Sequence, residues 1–172
     1  DQQWLAHLTS LAEKIRLLSE EGVAFIVTLS FTIELAQVSA EHFVGLLQKQ
    51  LKMRGLVIGA DFALGRNREG DAATLIRLGR DTGFGVTVVP PVKLRGGLVS
   101  ATAIRNARAG GDMGKVQRMT GRYFRLEERV VTGNGRGADL GYPTANLDTD
   151  PEQALPADGV YATWAYVDNK PL

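Results

Sequence analysis

The hydrophobic pattern changes its period once along this chain, near residue 119, and that change limits the fold more than any other feature. Upstream, apolar residues recur at helical spacing in segments separated by short continuous apolar runs; downstream they alternate. A helical period calls for helices with one buried stripe, and continuous β-branched runs call for strands covered on both faces. A period of two calls for strands with one face covered. Two modules are therefore expected, residues 1–119 and 120–172.

In the first module, Leu8, Leu11, Ile15 and Leu18 predict a helix over 5–18, with Lys14 and Arg16 outside and Gly22 as its stop. Residues 23–29 form a nearly unbroken apolar run with β-branched members and predict a buried parallel strand. Ser39 is placed to cap a helix carrying Phe43, Leu46, Leu47 and Leu51, and 56–59 is a second short strand. A helix over 71–83 holds Ala73, Leu75, Ile76 and Leu78, and a strand over 86–89 stops at Pro90 and Pro91. Helix and strand in alternation at short spacing predict an α/β fold with a doubly wound sheet. Ser100 or Thr102 caps a further helix running to Ala109, ended by Gly110 and Gly111, and 112–119 is a short helix or linker. In the second module 124–131 and 160–167 predict strands, with a turn at 154–159 between them.

Composition excludes several classes of function. Twenty Lys and Arg against nineteen Asp and Glu leave a formal charge of +1, which removes the electrostatic case for nucleic acid or a membrane surface as the main partner. The absence of cysteine rules out disulfides, thiolate catalysis and Cys-ligated zinc, and fits a reducing compartment. No apolar run approaches the roughly 18 residues of a membrane span, and the first residues lack a basic stretch followed by an apolar one, so a cytoplasmic location is expected. His7 and His42 have no partner at metal-ligand spacing and read as surface residues.

The chemistry concentrates in three stretches. Within 132–147, Gly133, Gly135, Gly137 and Gly141 let backbone N–H groups approach an anion closely, with Arg136 among them. Pro143 pushes Tyr142 toward extended geometry, so 143–147 is expected to run as a short strand. Thr144 and Asn146 would then face the same way, two neutral hard oxygens suited to Mg²⁺ whose other positions are filled by water and nucleotide phosphates. The plainer reading is a hairpin loop whose Thr and Asn satisfy turn backbone groups. The second stretch, 59–70, follows a predicted strand and pairs Asp61, the Phe62 ring, two arginines and glycines at the end where α/β sheets bind ligands; otherwise it is a surface turn with Phe62 in the core. The third, 99–105, places Ser100, Thr102 and Arg105 at a helix start, either as a phosphate cradle or as caps beside a solvated arginine.

Taken together these stretches resemble the prokaryotic bifunctional riboflavin kinase/FMN adenylyltransferase (FAD synthetase) family. Gly135-Arg136-Gly137 with Leu140-Gly141-Tyr142-Pro143-Thr144-Ala145-Asn146-Leu147 is similar to the kinase signature, and Gly121-Arg122-Tyr123-Phe124 to the entry of that module. Pro156 with Gly159-Val160-Tyr161 is similar to a later kinase element. Gly59, Asp61, Phe62, Gly65, Arg68 and Gly70 resemble the adenylyltransferase loop that lines the flavin and nucleotide site. Ser100, Thr102, Ile104 and Arg105 match the Ser-Ser-Thr-x-Ile-Arg element that binds ATP phosphates, with Ala101 in place of the second serine; Ala138 replaces an arginine common in the kinase motif.

The resemblance implies a Rossmann-like nucleotidyltransferase domain followed by part of an antiparallel β-barrel kinase domain. It implies phosphorylation of riboflavin to FMN and adenylylation of FMN to FAD, with ATP as co-substrate and Mg²⁺ as cofactor. Thr144 and Asn146 would bind the metal; Gly133, Gly135, Arg136, Gly137, Gly141 and Pro143 would bind nucleotide. Ser100, Thr102, Arg105, Asp61 and Phe62 would serve the second reaction. The family's His-x-Gly-His element is not among these residues, and its proposed general-base glutamate lies on a later barrel strand than any present. The chain is therefore expected to be cut at both ends and incomplete for both reactions. The alternatives are a non-catalytic flavin- or nucleotide-binding remnant and, less favoured by the charge, a nucleic-acid-binding small barrel.

Overall fold

The computed structural model describes residues 6–167, 170 and 171. Three helices lead: α1 (Leu11–Glu20), α2 (Ile33–Ala36) and α3 (Ala40–Leu51). Strand β1 (Gly55–Gly59), a hairpin of β2 (Ala63–Leu64) and β3 (Gly70–Asp71), α4 (Ala72–Thr82) and β4 (Gly85–Val89) follow. A second hairpin, β5 (Lys93–Leu94) and β6 (Gly97–Leu98), precedes α5 (Ala101–Ala109) and α6 (Met113–Thr120). The remainder is β7 (Val130–Val131), α7 (Arg136–Asp139), β8 (Asn146–Leu147), β9 (Tyr166–Val167) and β10 (Lys170–Pro171). The chain divides into two units, one of residues 25–98 and the other of 1–24 with 99–172.

The unit of residues 25–98 is a βαβ module. β1 and β4 pair in parallel from Gly55 opposite Gly85 to Gly59 opposite Val89, and a parallel pair requires a crossover, supplied by α4. The Asp71 carboxylate starts α4 by accepting from the Thr74 N–H at 2.8 Å, and that hydrogen bond holds its carboxyl below the usual range. At the other end of the helix the Gly83 N–H donates to Gly79 O. Ser39 starts α3 in the same way, accepting from His42 N–H as its spacing predicts. Val44 of α3, Ile58 of β1, Leu75 of α4 and Phe84 form the buried core, flanked by Leu56, Leu78, Val86 and Val88. The mixed α/β character with a parallel sheet is thus as expected from the pattern.

In the other unit, α5 and α6 pack together and bury Ala107, Arg108 and Val116. Residues 6–8 lie beside 152–154: His7 N–H donates to Glu152 O and Ala154 N–H to His7 O. Helix α1 buries no residue, and Arg16 bridges Glu13 at 2.7 Å, holding the Glu13 carboxyl below its ordinary range.

Several expectations need correction. The first helix begins at Leu11, not residue 5, because the Ser10 hydroxyl accepts from Glu13 N–H and leaves Leu8 outside; the expected residue 5 lies outside the described residues. Residues 23–29 are not a buried strand: they form no ladder, and Phe25, Val27 and Leu29 are exposed. An apolar run becomes a strand only when a neighbour accepts its backbone groups, and β1 takes β4 as its only partner among the described residues. The predicted strand over 124–131 is ordered as a ladder only at Val130 and Val131, which pair with Leu147 and Asn146. The one over 160–167 contracts to Tyr166 and Val167, paired with Pro171 and Lys170. Unforeseen from sequence was the β5–β6 hairpin, whose Arg95 and Gly96 both take positive φ as a tight two-residue loop requires.

Candidate functional site

The glycine stretch does not form an open loop. A one-turn helix, α7, occupies its middle, Tyr142 N–H donates to Gly137 O at 2.7 Å, and the chain folds back on residues 144–146. Of the predicted strand over 143–147 only Asn146 and Leu147 pair, with Asn146 opposite Val131. The glycines meet the two candidate metal ligands directly. A Cβ on Gly137 would overlap Tyr142 O and lie 3.0 Å from both Thr144 Oγ1 and Cγ2. On Gly133 it would overlap the Asn146 amide nitrogen and lie 3.0 Å from Asn146 Oδ1. These two positions therefore have room for hydrogen alone, and each touches one of the side chains predicted to hold the cation.

Thr144 and Asn146 are both exposed, as are Gly133, Gly135, Arg136, Gly141 and Pro143. The stretch does close a hairpin, since β7 and β8 flank it as an antiparallel pair, which is the first half of the plainer reading; the second half, Thr144 and Asn146 spent on turn backbone groups, finds no side-chain hydrogen bond from either among the described residues. No group of three or more acidic, His or Cys side chains able to hold a metal occurs among the described residues; Thr144 and Asn146 offer only neutral oxygens, a donor set compatible with a hard cation that keeps water and phosphate ligands.

At the start of α5, Ser100 is the cap: its hydroxyl accepts from Ala103 N–H at 3.1 Å. Thr102 is exposed in the first turn. Arg105 is half-buried and donates through Nε to Ala6 O at 3.0 Å, which fixes the guanidinium. Asp61 and Phe62 stand in the tight turn after β1, in the other unit. Phe62 N–H donates to Gly59 O, the Phe62 ring is exposed rather than dropped into the core, and Arg68 donates to Asp61 O. The loop is tied to the start of α3 by the Glu69 carboxylate, which accepts from Ala40 N–H at 2.9 Å, and by Arg66 N–H donating to Val38 O.

Sequence reasoning missed Glu69 and, more seriously, Arg108. This arginine is buried, donates to Leu8 O and Ala154 O, and lies 4.1 Å from the centre of the Phe124 ring. Among the described residues its Nε has no partner and no carboxylate pairs with it; burial and the nearby Arg105 charge make its proton easier to lose. The available signal was positional: on α5, Ile104, Ala107 and Arg108 fall on one stripe, and an arginine on an apolar stripe must find carbonyls or a ring. Arg108→Met would remove the strained charge but orphan two carbonyls, and a buried unmatched group costs about 1–3 kcal/mol. A net destabilisation of about 2 kcal/mol is expected in urea unfolding, with faster hydrogen exchange at His7 and Ala154; a neutral result would show that the unpaired charge outweighs its bonds.

The sequence profile of the FAD synthetase family matches residues 1–103, and that of riboflavin kinase matches 120–172. The chain is 37% identical over 158 residues to the bifunctional riboflavin kinase/FMN adenylyltransferase of Escherichia coli K12, covering 91% of this chain and 50% of that protein. It is 35% identical over 162 residues to the enzyme of the same description from Pseudomonas fluorescens, covering 94% and 52%. The chain thus spans about half the length of the curated relatives it matches. A crystal structure described as a macrolide-efflux protein from Streptococcus pneumoniae superposes with a TM-score of 0.86 at 31% identity, over 96% of this chain and 53% of that one.

Proposed function

The chain belongs to the FAD synthetase family, and from that premise we propose that its parent protein makes FAD from riboflavin in two ATP-dependent steps. The observation that carries the reading is the contact of Gly137 and Gly133 with Thr144 and Asn146, which turns a glycine-rich stretch into a cradle for a metal-bound triphosphate. The module boundary is proposed near residue 119, with 120–172 as the N-terminal part of a kinase β-barrel and 1–119 as an adenylyltransferase domain of doubly wound type.

In the kinase step the ribityl 5′-hydroxyl of riboflavin attacks the γ-phosphorus of ATP, the bond to the bridging oxygen breaks, and ADP leaves as FMN forms. Such a transfer asks for positioning and charge neutralisation more than for covalent chemistry. Backbone N–H groups of Gly133, Gly135 and Gly137 hold phosphate oxygens, Arg136 offsets their charge, and Pro143 stiffens the entry to the Thr144 segment; the Gly141 N–H, expected to join them, donates to Ala138 O at 3.0 Å instead. Thr144 Oγ1 and Asn146 Oδ1 would hold Mg²⁺, which when bound neutralises the developing phosphate charge. In the second step an FMN phosphate oxygen attacks the α-phosphorus of another ATP and pyrophosphate leaves. The resemblance of their motifs assigns Ser100, Thr102 and Arg105 to that ATP and, separately, Asp61 with Phe62 to the flavin.

The family resemblance assigns both reactions groups that these 172 residues do not include, so the chain is expected to bind MgATP and flavin with little turnover. The second reading, a binding remnant, predicts affinity with no product at all. Incubation with riboflavin, ATP and Mg²⁺ followed by flavin separation distinguishes them. Calorimetry tests the site itself: Thr144→Ala or Asn146→Ala should weaken MgATP binding about 10- to 100-fold and flatten its Mg²⁺ dependence. Unchanged affinity in both variants would remove the metal assignment. The efflux activity by which the streptococcal protein is described is not carried over to this chain; no helix among the described residues is long and apolar enough to cross a membrane.

A further inference from the structure

Residues 65–70 follow a backbone path that side chains resist. Asn67 and Arg68 stand in succession at φ 53° and 60°, a left-handed conformation that residues with a Cβ keep only where their surroundings impose it. What imposes it is Ala40, the buried first residue of α3. Gly65 and Gly70 both close on this residue: a Cβ on Gly65 would overlap the Ala40 backbone, and one on Gly70 would lie 2.7 Å from Ala40 Cβ. Two hydrogen bonds complete the clamp. Arg66 N–H donates to Val38 O at 2.8 Å, and Ala40 N–H donates to the Glu69 carboxylate, 29 positions along the chain, at 2.9 Å. From within the clamped segment Arg68 Nη2 donates to Asp61 O at 3.1 Å, which ties it to the turn carrying Asp61 and Phe62.

We propose that Glu69 is a positioning residue for the flavin: its carboxylate locks residues 65–70 around Ala40 and, through Arg68, holds the Asp61–Phe62 turn in the geometry that seats the ring. This role rests on Asp61 and Phe62 being the flavin seat. β1 sets where the chain leaves the sheet, and the clamp sets where it returns. The source of the acceptor is what points to the loop. A helix start needs acceptors for its first N–H groups, and Ser39, next in sequence, already supplies one to His42. The acceptor for Ala40 comes instead from the loop itself, where a carboxylate is also favoured by the positive end of the helix dipole. Without that bond Asn67 and Arg68 are free to relax toward ordinary φ, and Arg68 leaves Asp61 O.

Calorimetric titration of the 172-residue chain with FMN tests the role. Glu69→Ala should weaken FMN binding about tenfold, because small displacements of a positioning group are costly. Amide exchange at Arg66, the other tie of the clamp, should rise about fivefold in the same variant. Glu69→Gln keeps an oxygen for Ala40 N–H and should bind FMN within about threefold of wild type. Ser39→Ala is the structural control: it removes the acceptor of His42 N–H at the same helix end, should lower the melting temperature about as much as Glu69→Ala, and should leave FMN affinity within about twofold. Unchanged FMN affinity in Glu69→Ala overturns the role. So does an equal loss in Ser39→Ala, or a Glu69→Gln variant as weak as Glu69→Ala. A wild-type chain with no affinity for FMN removes the flavin seat and this role with it, a failure told apart because exchange at Arg66 would still respond to Glu69→Ala.

Discussion

Gly137→Ala is expected to weaken MgATP binding about 100-fold while leaving the rest of the fold intact. The Cβ it introduces overlaps the Tyr142 carbonyl and sits 3.0 Å from Thr144 Oγ1 and Cγ2. A flexible side-chain end could turn away, but Tyr142 O belongs to the backbone and is pinned by the chain reversal in which Tyr142 N–H donates to Gly137 O. The segment must therefore move, and Thr144 moves with it. A shift of about 1 Å in a positioning group is enough to cost two orders of magnitude. Gly141→Ala is the control. Gly141 has φ +80° but open space around its Cβ position, so alanine there brings backbone strain of about 1–2 kcal/mol without touching Thr144. Calorimetry on the two variants should rank Gly137→Ala well below Gly141→Ala in affinity, and the reverse order would mean that loop conformation, not contact with Thr144, sets the site.

That contact could not be read from the sequence. The glycines, Thr144 and Asn146 were legible as a set because their spacing carries chemistry, yet which glycine meets which side chain depends on α7, a helical turn that Arg136, Gly137, Ala138 and Asp139 do not announce by any period. The βαβ unit was legible almost throughout. Its cap at Ser39 and its stop at Gly83 are local signals, fixed by hydrogen bonds to residues three or four away, whereas Asp71, expected as the first residue of its helix, is the cap before it. Residues 23–29 failed for the opposite reason: β-branching and apolarity declare what a segment prefers, while burial requires a neighbour elsewhere in the chain. The same holds for residues 124–129, where only the last two positions of the alternating run, Val130 and Val131, found a partner in Leu147 and Asn146. Arg108 was illegible as a hub because its partners, Leu8, Phe124 and Ala154, are scattered in sequence.

The βαβ unit itself should be poised on one side chain. Leu75 is fully buried and sits in one cluster with Val44, Ile58 and Phe84, so it helps join α3, β1 and α4 in a single core. Leu75→Ala is expected to cost about 3 kcal/mol, the transfer free energy of the lost methyl groups plus the cavity left among neighbours that cannot all close on it. A unit of this length has roughly 4–10 kcal/mol to lose, so much of its margin would go. Amide exchange through global opening at Ile58 and Val88 should rise about two orders of magnitude. The turn holding Asp61 and Phe62 follows β1 directly and rests on Phe62 N–H to Gly59 O, so its amides should loosen in step with that strand. Leu75→Met, which nearly conserves volume, should cost under about 1.5 kcal/mol and leave exchange close to wild type. If Leu75→Ala cost less than about 1 kcal/mol, the cluster would not be the cooperative core of this unit, and the turn carrying Asp61 would owe its shape to Glu69 and Arg68 instead.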